Sequence, residues 1–243
     1  MRSANPSLRE DTFKGMRSVN GMAMTIQGTV NKTFILFLLL CVTAVFTWYR
    51  YYSGNDVSAL VWIGFLLGFV VALVTIFVKR VAPFTAPLYA LLEGLAIGGI
   101  SAMFEAQFAG ITIQAVLLTF GTLFSLLVVY RLGLIEVTKN FRLGVVAATG
   151  AIFFVYLIDL ILRFFGMEVP FIHETGLVGI AISVIIVIVA ALNLVLDFDF
   201  IESGAAERAP KFMEWYGAFG LMVTLIWLYL EILRLLAKVR SNK

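Results

Sequence analysis

The side chains best suited to chemistry lie in one stretch near residue 200, where a long apolar run ends in acids. Asp197, Asp199 and Glu202 fall within six residues, and an amide side chain, Asn193, stands one helical turn before the first acid. Carboxylates at the end of a hydrocarbon-length helix are costly in free energy unless they line water, bind a cation or meet a partner. The stretch therefore predicts a functional site. Asp199 and Glu202 fit equally well as solvated acids of a following loop.

Other charged residues also interrupt apolar runs. Glu93 lies well inside such a run, which favours a functional role or a buried partner over simple exposure. Asp159 and Arg163 have the i,i+4 spacing of an ordinary salt bridge. An i,i+3 pair of the same kind is formed by Glu231 and Arg234, for which a pore role is an equal alternative.

The residues needed for common enzyme sites are missing. His173 is the only histidine and Cys41 the only cysteine, which argues against Ser-His catalysis, a His-based zinc site and a disulfide. An intramembrane aspartyl protease needs two facing Asp residues, but Asp159 and Asp197 lie at opposite predicted depths. We therefore expect no enzyme activity and no cofactor. The net charge of +3 comes from basic tails and loops, so no nucleic-acid binding is expected.

The elements that must position these residues are membrane-spanning helices. Of the 243 residues, 61% are hydrophobic and 14% charged, whereas soluble domains are about 45–50% apolar and about 25% charged. Seven apolar runs are each close to the ~20 residues that cross a bilayer. They cover Thr33–Tyr49, Val57–Val78, Pro87–Phe104, Ile111–Tyr130, Leu143–Phe165, Gly176–Phe198 and Phe212–Leu236. We predict an all-α transmembrane domain over 33–237, a polar, partly disordered tail over 1–32 and a short basic tail over 238–243.

The distribution of Lys and Arg predicts the orientation of these runs. With the N-terminus in the cytoplasm, the inner segments carry twice as many Lys and Arg residues as the outer ones, as the positive-inside rule requires. The basic C-terminus is then on the wrong side. Either the seventh run spans against the rule or it re-enters, and we favour a full span because the run is long enough.

Small residues predict where the helices pack, since lipid supplies no hydrophobic drive between helices. One face of the third run carries Ala90, Gly94, Gly98, Ser101 and Ala102. A small and polar stripe on the seventh run contains Gly217, Gly220, Thr224, Trp227, Glu231 and Arg234. We expect both faces to turn toward the bundle. On the seventh run, this leaves Leu225, Leu228, Ile232 and Leu236 to face lipid.

Four stretches carry a resemblance to a known family. Residues 87–98 read PLYALLEGLAIG and residues 114–124 read QAVLLTFGTLF. Residues 196–199 read LDFD, and residues 227–236 read WLYLEILRLL. These stretches resemble the third, fourth and last two helices of the Bax inhibitor-1 family, also called the transmembrane Bax-inhibitor-motif superfamily. The likeness covers roughly residues 80–237 and is closest to bacterial-type members.

The resemblance implies a seven-helix bundle whose last helix is central and wrapped by the others. It also implies a pH-sensitive calcium leak across the membrane, closed by two carboxylates of the last two helices that share a proton. Two close acids cannot both ionise cheaply, and their deprotonation would free hard oxygen ligands for Ca²⁺. Ca²⁺ would be the permeating ion rather than a cofactor. The implied location is a bacterial plasma membrane, with the lipid bilayer as partner.

The same resemblance implies an alternative function without transport. Family members restrain cell death or membrane-bound proteases, so the chain could regulate a membrane protease or a stress partner by binding it.

The family's acid pair carries over onto this sequence only in part. Asp197 matches the acid of the sixth helix, with Asp199 as a close rival. The acid of the seventh helix matches Glu231 by local sequence, but Thr224 by helix length. Geometry opposes a direct Asp197–Glu231 pair, because at 1.5 Å per residue Glu231 lies about 28 Å along the seventh helix from Phe212.

We therefore predict two clusters of charged residues. An inner cluster of Glu93, Asp197 and Asp199 would provide transient Ca²⁺ ligands, and Thr224 and Asn193 would join it on the ion pathway. An outer cluster would consist of Asp159, Arg163, Glu231 and Arg234, with the salt bridges in a supporting role.

Overall fold

Seven long helices make up the fold of the computed structural model, which describes residues 23–166, 174 and 176–242. Each helix is long and apolar enough to cross a membrane, so the predicted all-α, seven-helix membrane fold is confirmed. The helices are α1 (Ile26–Tyr52), α2 (Ser58–Phe77), α3 (Ala82–Gln107), α4 (Ile111–Arg131), α5 (Lys139–Phe164), α6 (Leu177–Ala206) and α7 (Met213–Ser241). The part of the predicted tail before residue 23, the single histidine His173 and the last residue of the predicted basic tail, Lys243, lie outside the described residues.

Three helices extend beyond the apolar runs of the sequence, because hydropathy marks the hydrocarbon core rather than the end of a helix. α1 begins at Ile26, where the Thr25 hydroxyl accepts the N–H of Gly28 as an N-cap. The polar residues 26–32 are therefore helical and continuous with the first span. α7 likewise continues through Ser241, past the predicted end of the domain. α6 continues to Ala206, so Asp199 and Glu202 lie on a helix and not in a loop.

The last helix occupies the centre of the bundle. α7 packs against α1, α3, α4 and α6, and it is the most buried of the seven spans. The prediction that its leucine face meets lipid is wrong, since Leu225, Leu228 and Ile232 are all buried. A helix that is surrounded on every side has no lipid-facing stripe.

The small residues of α3 lie against α1, as the sequence predicts. A Cβ added to Gly98 would lie 2.2 Å from the carbonyl oxygen of Ala44, and one added to Gly94 would lie 2.3 Å from that of Leu40. The two helix backbones therefore touch, which a larger side chain would prevent. α2 packs on the other side of α3.

α5 is the peripheral helix of the bundle. Its main packing partner is α6, and Val145 and Asp159 are its only buried side chains among those that the structure describes. Most of its exposed side chains are apolar, as suits contact with lipid. Apolar packing thus holds α5 weakly, and polar bonds must supply much of its attachment.

Candidate functional site

Asp197 and Thr224 meet between α6 and α7. Both side chains are buried, with 2% and 4% of their surface exposed. The Thr224 hydroxyl lies within hydrogen-bonding reach of the carboxyl group of Asp197, and it also donates to the carbonyl oxygen of Gly220 at 3.3 Å. The other carboxyl oxygen, Oδ2, is the only buried side-chain polar atom of the described residues that has no hydrogen-bond partner. Such an atom is costly in free energy, so this carboxyl group is well suited to taking up a proton or a cation.

Thr224 and Glu231 were the two candidates on the seventh helix for the partner of Asp197. Thr224 contacts Asp197, whereas Glu231 lies two turns further along α7, about 10 Å away along the helix axis. The match by helix length therefore gives the correct neighbour of Asp197, and the local match to Glu231 does not.

Asn193 lies one turn from Asp197 on α6 and connects this helix to α5. Its Nδ2 donates to Oγ1 of Thr149 at 2.8 Å and to the carbonyl oxygen of Val189 at 2.8 Å. The side chain is 5% exposed. Asn193 thus extends the line of polar groups from Asp197 toward the middle of α5.

Asp199 does not join Asp197, contrary to the prediction of an inner cluster. Two residues along a helix correspond to a rotation of about 200°, so the two carboxylates point in nearly opposite directions. Asp199 instead pairs with Arg142 at the start of α5, with 2.5 Å between Oδ2 and Nη2. This ion pair also shows that Asp199 is not a freely solvated acid.

Glu93 is also absent from the predicted inner cluster. α3 packs on α2 at this level, and a Cβ added to Gly68 of α2 would lie 2.9 Å from Oε1 of Glu93. In the part of the chain that the structure describes, no three Asp, Glu, His or Cys side chains are close enough to hold a metal ion. The structure therefore does not bring Glu93, Asp197 and Asp199 together as one group of ligands, since Glu93 lies against α2.

Both salt bridges of the predicted outer cluster form. Arg163 donates to Asp159 at 3.1 Å, and Arg234 donates to Glu231 at 3.1 Å. A further member, which was not predicted from the sequence, is Tyr156 of α5. Its hydroxyl donates to Glu231 and accepts from Arg234, each at 2.8 Å. Tyr156 therefore connects α5 to the central helix.

These contacts form a line of polar groups along the α5–α6–α7 interface, here called the polar seam. On α5 its members recur at every seventh residue, a period of two turns that keeps them on one face. Polar residues at this period in an otherwise apolar helix are a sequence signal by which the α5 members could have been identified. The seam consists of Arg142, Thr149, Tyr156, Asn193, Asp197, Asp199, Thr224, Glu231 and Arg234.

A family model for Bax inhibitor 1 like proteins matches residues 5–241. The chain belongs to the Bax inhibitor 1 like family. A comparison with curated proteins found no match, and neither did a comparison with solved structures. The family match includes all seven helices, whereas the resemblance in the sequence covers only residues 80–237.

Two buried charged residues of this Bax inhibitor 1 like protein were also missed by the sequence analysis. Lys238, expected in a basic tail, is 7% exposed and donates to the carbonyl oxygen of Gly179 and to Oγ of Ser183 on α6. Glu214 in the first turn of α7 is fully buried. Both lie near the ends of α7, where a charged residue is ordinarily solvated, so the sequence gives no signal of their burial.

Replacing Tyr156 with Phe should loosen α5 in this family member. The change removes the hydroxyl that joins α5 to Glu231 and Arg234, and a hydrogen bond to a charged group contributes about 1.5–3 kcal/mol. Amide hydrogen exchange in α5 should become faster, while exchange in α3 stays the same. Tyr49→Phe is the matched control because Tyr49 is 70% exposed. Equal exchange in both variants would show that the bond does not hold α5.

Proposed function

We propose that the polar seam is a pH-sensitive path along which Ca²⁺ leaks across the membrane, with Asp197 as the gating group. The observation that carries this proposal is the unpaired, buried Oδ2 of Asp197. An ionised carboxylate cannot stay in this dry position without a cation or water, whereas the protonated group can. Protonation therefore closes the path at Asp197, and loss of the proton draws a cation or water into it.

The chemistry of the seam supports a hard cation. Its groups along the membrane are carboxylate, hydroxyl and amide oxygens, which are the ligands that Ca²⁺ prefers. Two carboxylates paired with arginine lie at different depths in the membrane from Asp197. Asp199 lies toward one end of the seam and Glu231 toward the other. We infer that these two acids attract the cation, and that their arginines limit how long it stays.

The peripheral position of α5 supports a simple opening movement. α5 packs mainly on α6, and the seam residues Arg142, Thr149 and Tyr156 attach it to α6 and α7. A small outward displacement of α5 would widen the seam without disturbing the tight α1–α3 contact. In the orientation that the Lys and Arg distribution favours, the Asp199 end would face the cytoplasm.

Calcium flux into liposomes that contain the purified full-length chain tests the proposal. Flux should rise between about pH 6 and pH 8, and a single gating proton allows at most about a tenfold rise per pH unit. Asp197→Asn should remove the pH dependence, because the amide does not titrate. Asp56→Asn, in the exposed connection between α1 and α2, should behave like the wild type.

Two results would contradict the proposal in different ways. Flux that keeps its pH dependence in Asp197→Asn would exclude Asp197 as the gate. Flux no greater than that of empty liposomes at every pH would exclude a leak. The latter result would favour the alternative function, in which this protein transports nothing and regulates another membrane protein by binding it.

A further inference from the structure

An apolar cavity lies on the side of α7 away from the polar seam. It has a volume of about 260 Å³ and lies between α1, α3, α4 and α7. Met222, Ile226 and Tyr229 of α7 line it, and on the helix they point roughly opposite to Thr224. The cavity is thus separate from the proposed ion path.

The hydroxyl groups that line this cavity are all bonded within the protein. Ser101 Oγ and the Tyr229 hydroxyl are 2.6 Å apart, and Thr112 Oγ1 donates to the carbonyl oxygen of Ser101 at 3.2 Å. Thr119 donates to the carbonyl oxygen of Ala115 at 2.7 Å. These bonds use all but one of the four hydroxyl hydrogens, and the rest of the lining is almost entirely apolar. A water molecule would therefore lack the two to four polar partners that it needs. The cavity selects a hydrocarbon.

The cavity opens sideways between α1 and α4 toward the lipid. Val45 lines it and is nevertheless 66% exposed, on the same outer face as Val42. At one end, the rings of Phe37 and Phe120 close the gap edge to face, with centroids 5.2 Å apart. The other end lies at Trp48, about 16 Å further along α1.

We propose that this cavity binds one acyl chain of a membrane phospholipid. Apolar cavities of about 150 Å³ already stay dry and take up apolar molecules, and this one opens into the bilayer, which supplies such chains at high concentration. Its elongated shape, closed at Phe37, fits a chain that enters from the Trp48 end. Tryptophan is typical of the membrane–water interface, so that end lies at the depth of the headgroups.

A cation that can also meet the headgroup lies at this end of the bundle, within electrostatic range of the Glu105 carboxylate. Arg240 donates to the carbonyl oxygen of Ala109 and to Oε1 of Gln114, each within 2.9 Å, next to the α3–α4 connection. Thr112 of the cavity wall lies between these two acceptors in sequence. The guanidinium group can therefore pair with the phosphate of the lipid whose chain fills the cavity.

Photocrosslinking of the full-length chain in bilayers tests this proposal. The probe is a phospholipid with a diazirine near the end of one acyl chain, and adducts are located by mass spectrometry. Adducts on Met222 and Ile226 of the central helix are expected, since ordinary lipid contacts cannot reach these buried residues. Val116→Phe and Cys41→Phe, which fill the cavity from α4 and α1, should each lower those adducts by about tenfold.

The control is Leu118→Phe, which makes the same kind of change on the outer face of α4, where Leu118 is 50% exposed. This variant should retain the adducts on α7. Adducts confined to exposed side chains, or unaffected by either filling variant in correctly folded protein, would overturn the proposal. Labelling of α7 by a free fatty acid that carries the diazirine, but not by the phospholipid, would overturn the choice of ligand.

Discussion

Replacing Glu214 with Gln should destabilise the protein more than any other single carboxylate change. A hydrogen bond to a charged group contributes about 1.5–3 kcal/mol, and the change weakens several such bonds of one buried carboxylate at once. Glu214 is fully buried and pairs with Lys32 of α1 and, at 2.7 Å, with Lys211. The midpoint of thermal unfolding in detergent should fall by about 10 °C.

Glu214 connects the start of α1 to the start of the central helix through hydrogen bonds and an ion pair. Its carboxylate accepts the N–H and the hydroxyl of Thr25, each at 2.9 Å. Beside it, the N–H of Met24 donates to the carbonyl oxygen of Ala209 at 2.7 Å. A neutral amide retains the shape of the side chain but not its charge, so both lysines lose their partner while the packing is preserved.

Glu207→Gln is the matched control for this prediction. Glu207 follows α6 in the same connection and is exposed, so the same change there should shift the unfolding midpoint by little. Similar midpoints for the two variants would show that burial of the Glu214 charge contributes nothing to stability.

Replacing Gly98 with Ala should lower stability by about 3 kcal/mol, the upper range for overpacking. The added Cβ would lie 2.2 Å from the carbonyl oxygen and 2.7 Å from the Cα of Ala44. These are backbone atoms that cannot rotate away, so α1 and α3 must separate along their whole contact. The expected result is a lower unfolding midpoint and faster hydrogen exchange in both helices.

Gly121→Ala provides a control with the opposite expected sign. Gly121 also lies within a helix, but a Cβ there would meet no atom within 4 Å. Alanine favours the helix over glycine by about 1 kcal/mol, so this variant should be slightly more stable than the wild type. Equal destabilisation in both variants would contradict the role that we assign to the close α1–α3 approach.

Several features of the fold were predictable because the bilayer imposes them. About twenty apolar residues are needed to cross the hydrocarbon core, so hydropathy alone locates seven spans. Helical period then places Gly94 and Gly98 on one face, and close packing in lipid requires small residues there. The i,i+3 and i,i+4 pairs of Glu231 and Asp159 are similarly local, because both members lie on one helix.

The tertiary structure decided which polar side chains meet across helices. Asp197 and Asp199 are neighbours in sequence, yet one contacts Thr224 of α7 and the other Arg142 of α5. Glu93 has the same chemistry and contacts neither, because α3 turns it toward α2. The rotation of each helix in the bundle sets these partners, and rotation depends on the packing of all its neighbours at once.

The sequence by itself determined the fold class, the spans and the family, because these follow from local hydropathy, helical period and a pattern that extends along the chain. The contacts of Glu214 with α1, the contacts that form the polar seam and the apolar cavity were decided by the tertiary structure. The Thr25–Glu214 bond joins residues 189 positions apart, and the cavity has walls from four helices. The seven-residue period of α5 marks the face that carries part of the seam, but no local pattern encodes the contacts themselves, since each exists only where separate helices approach with a particular depth and rotation.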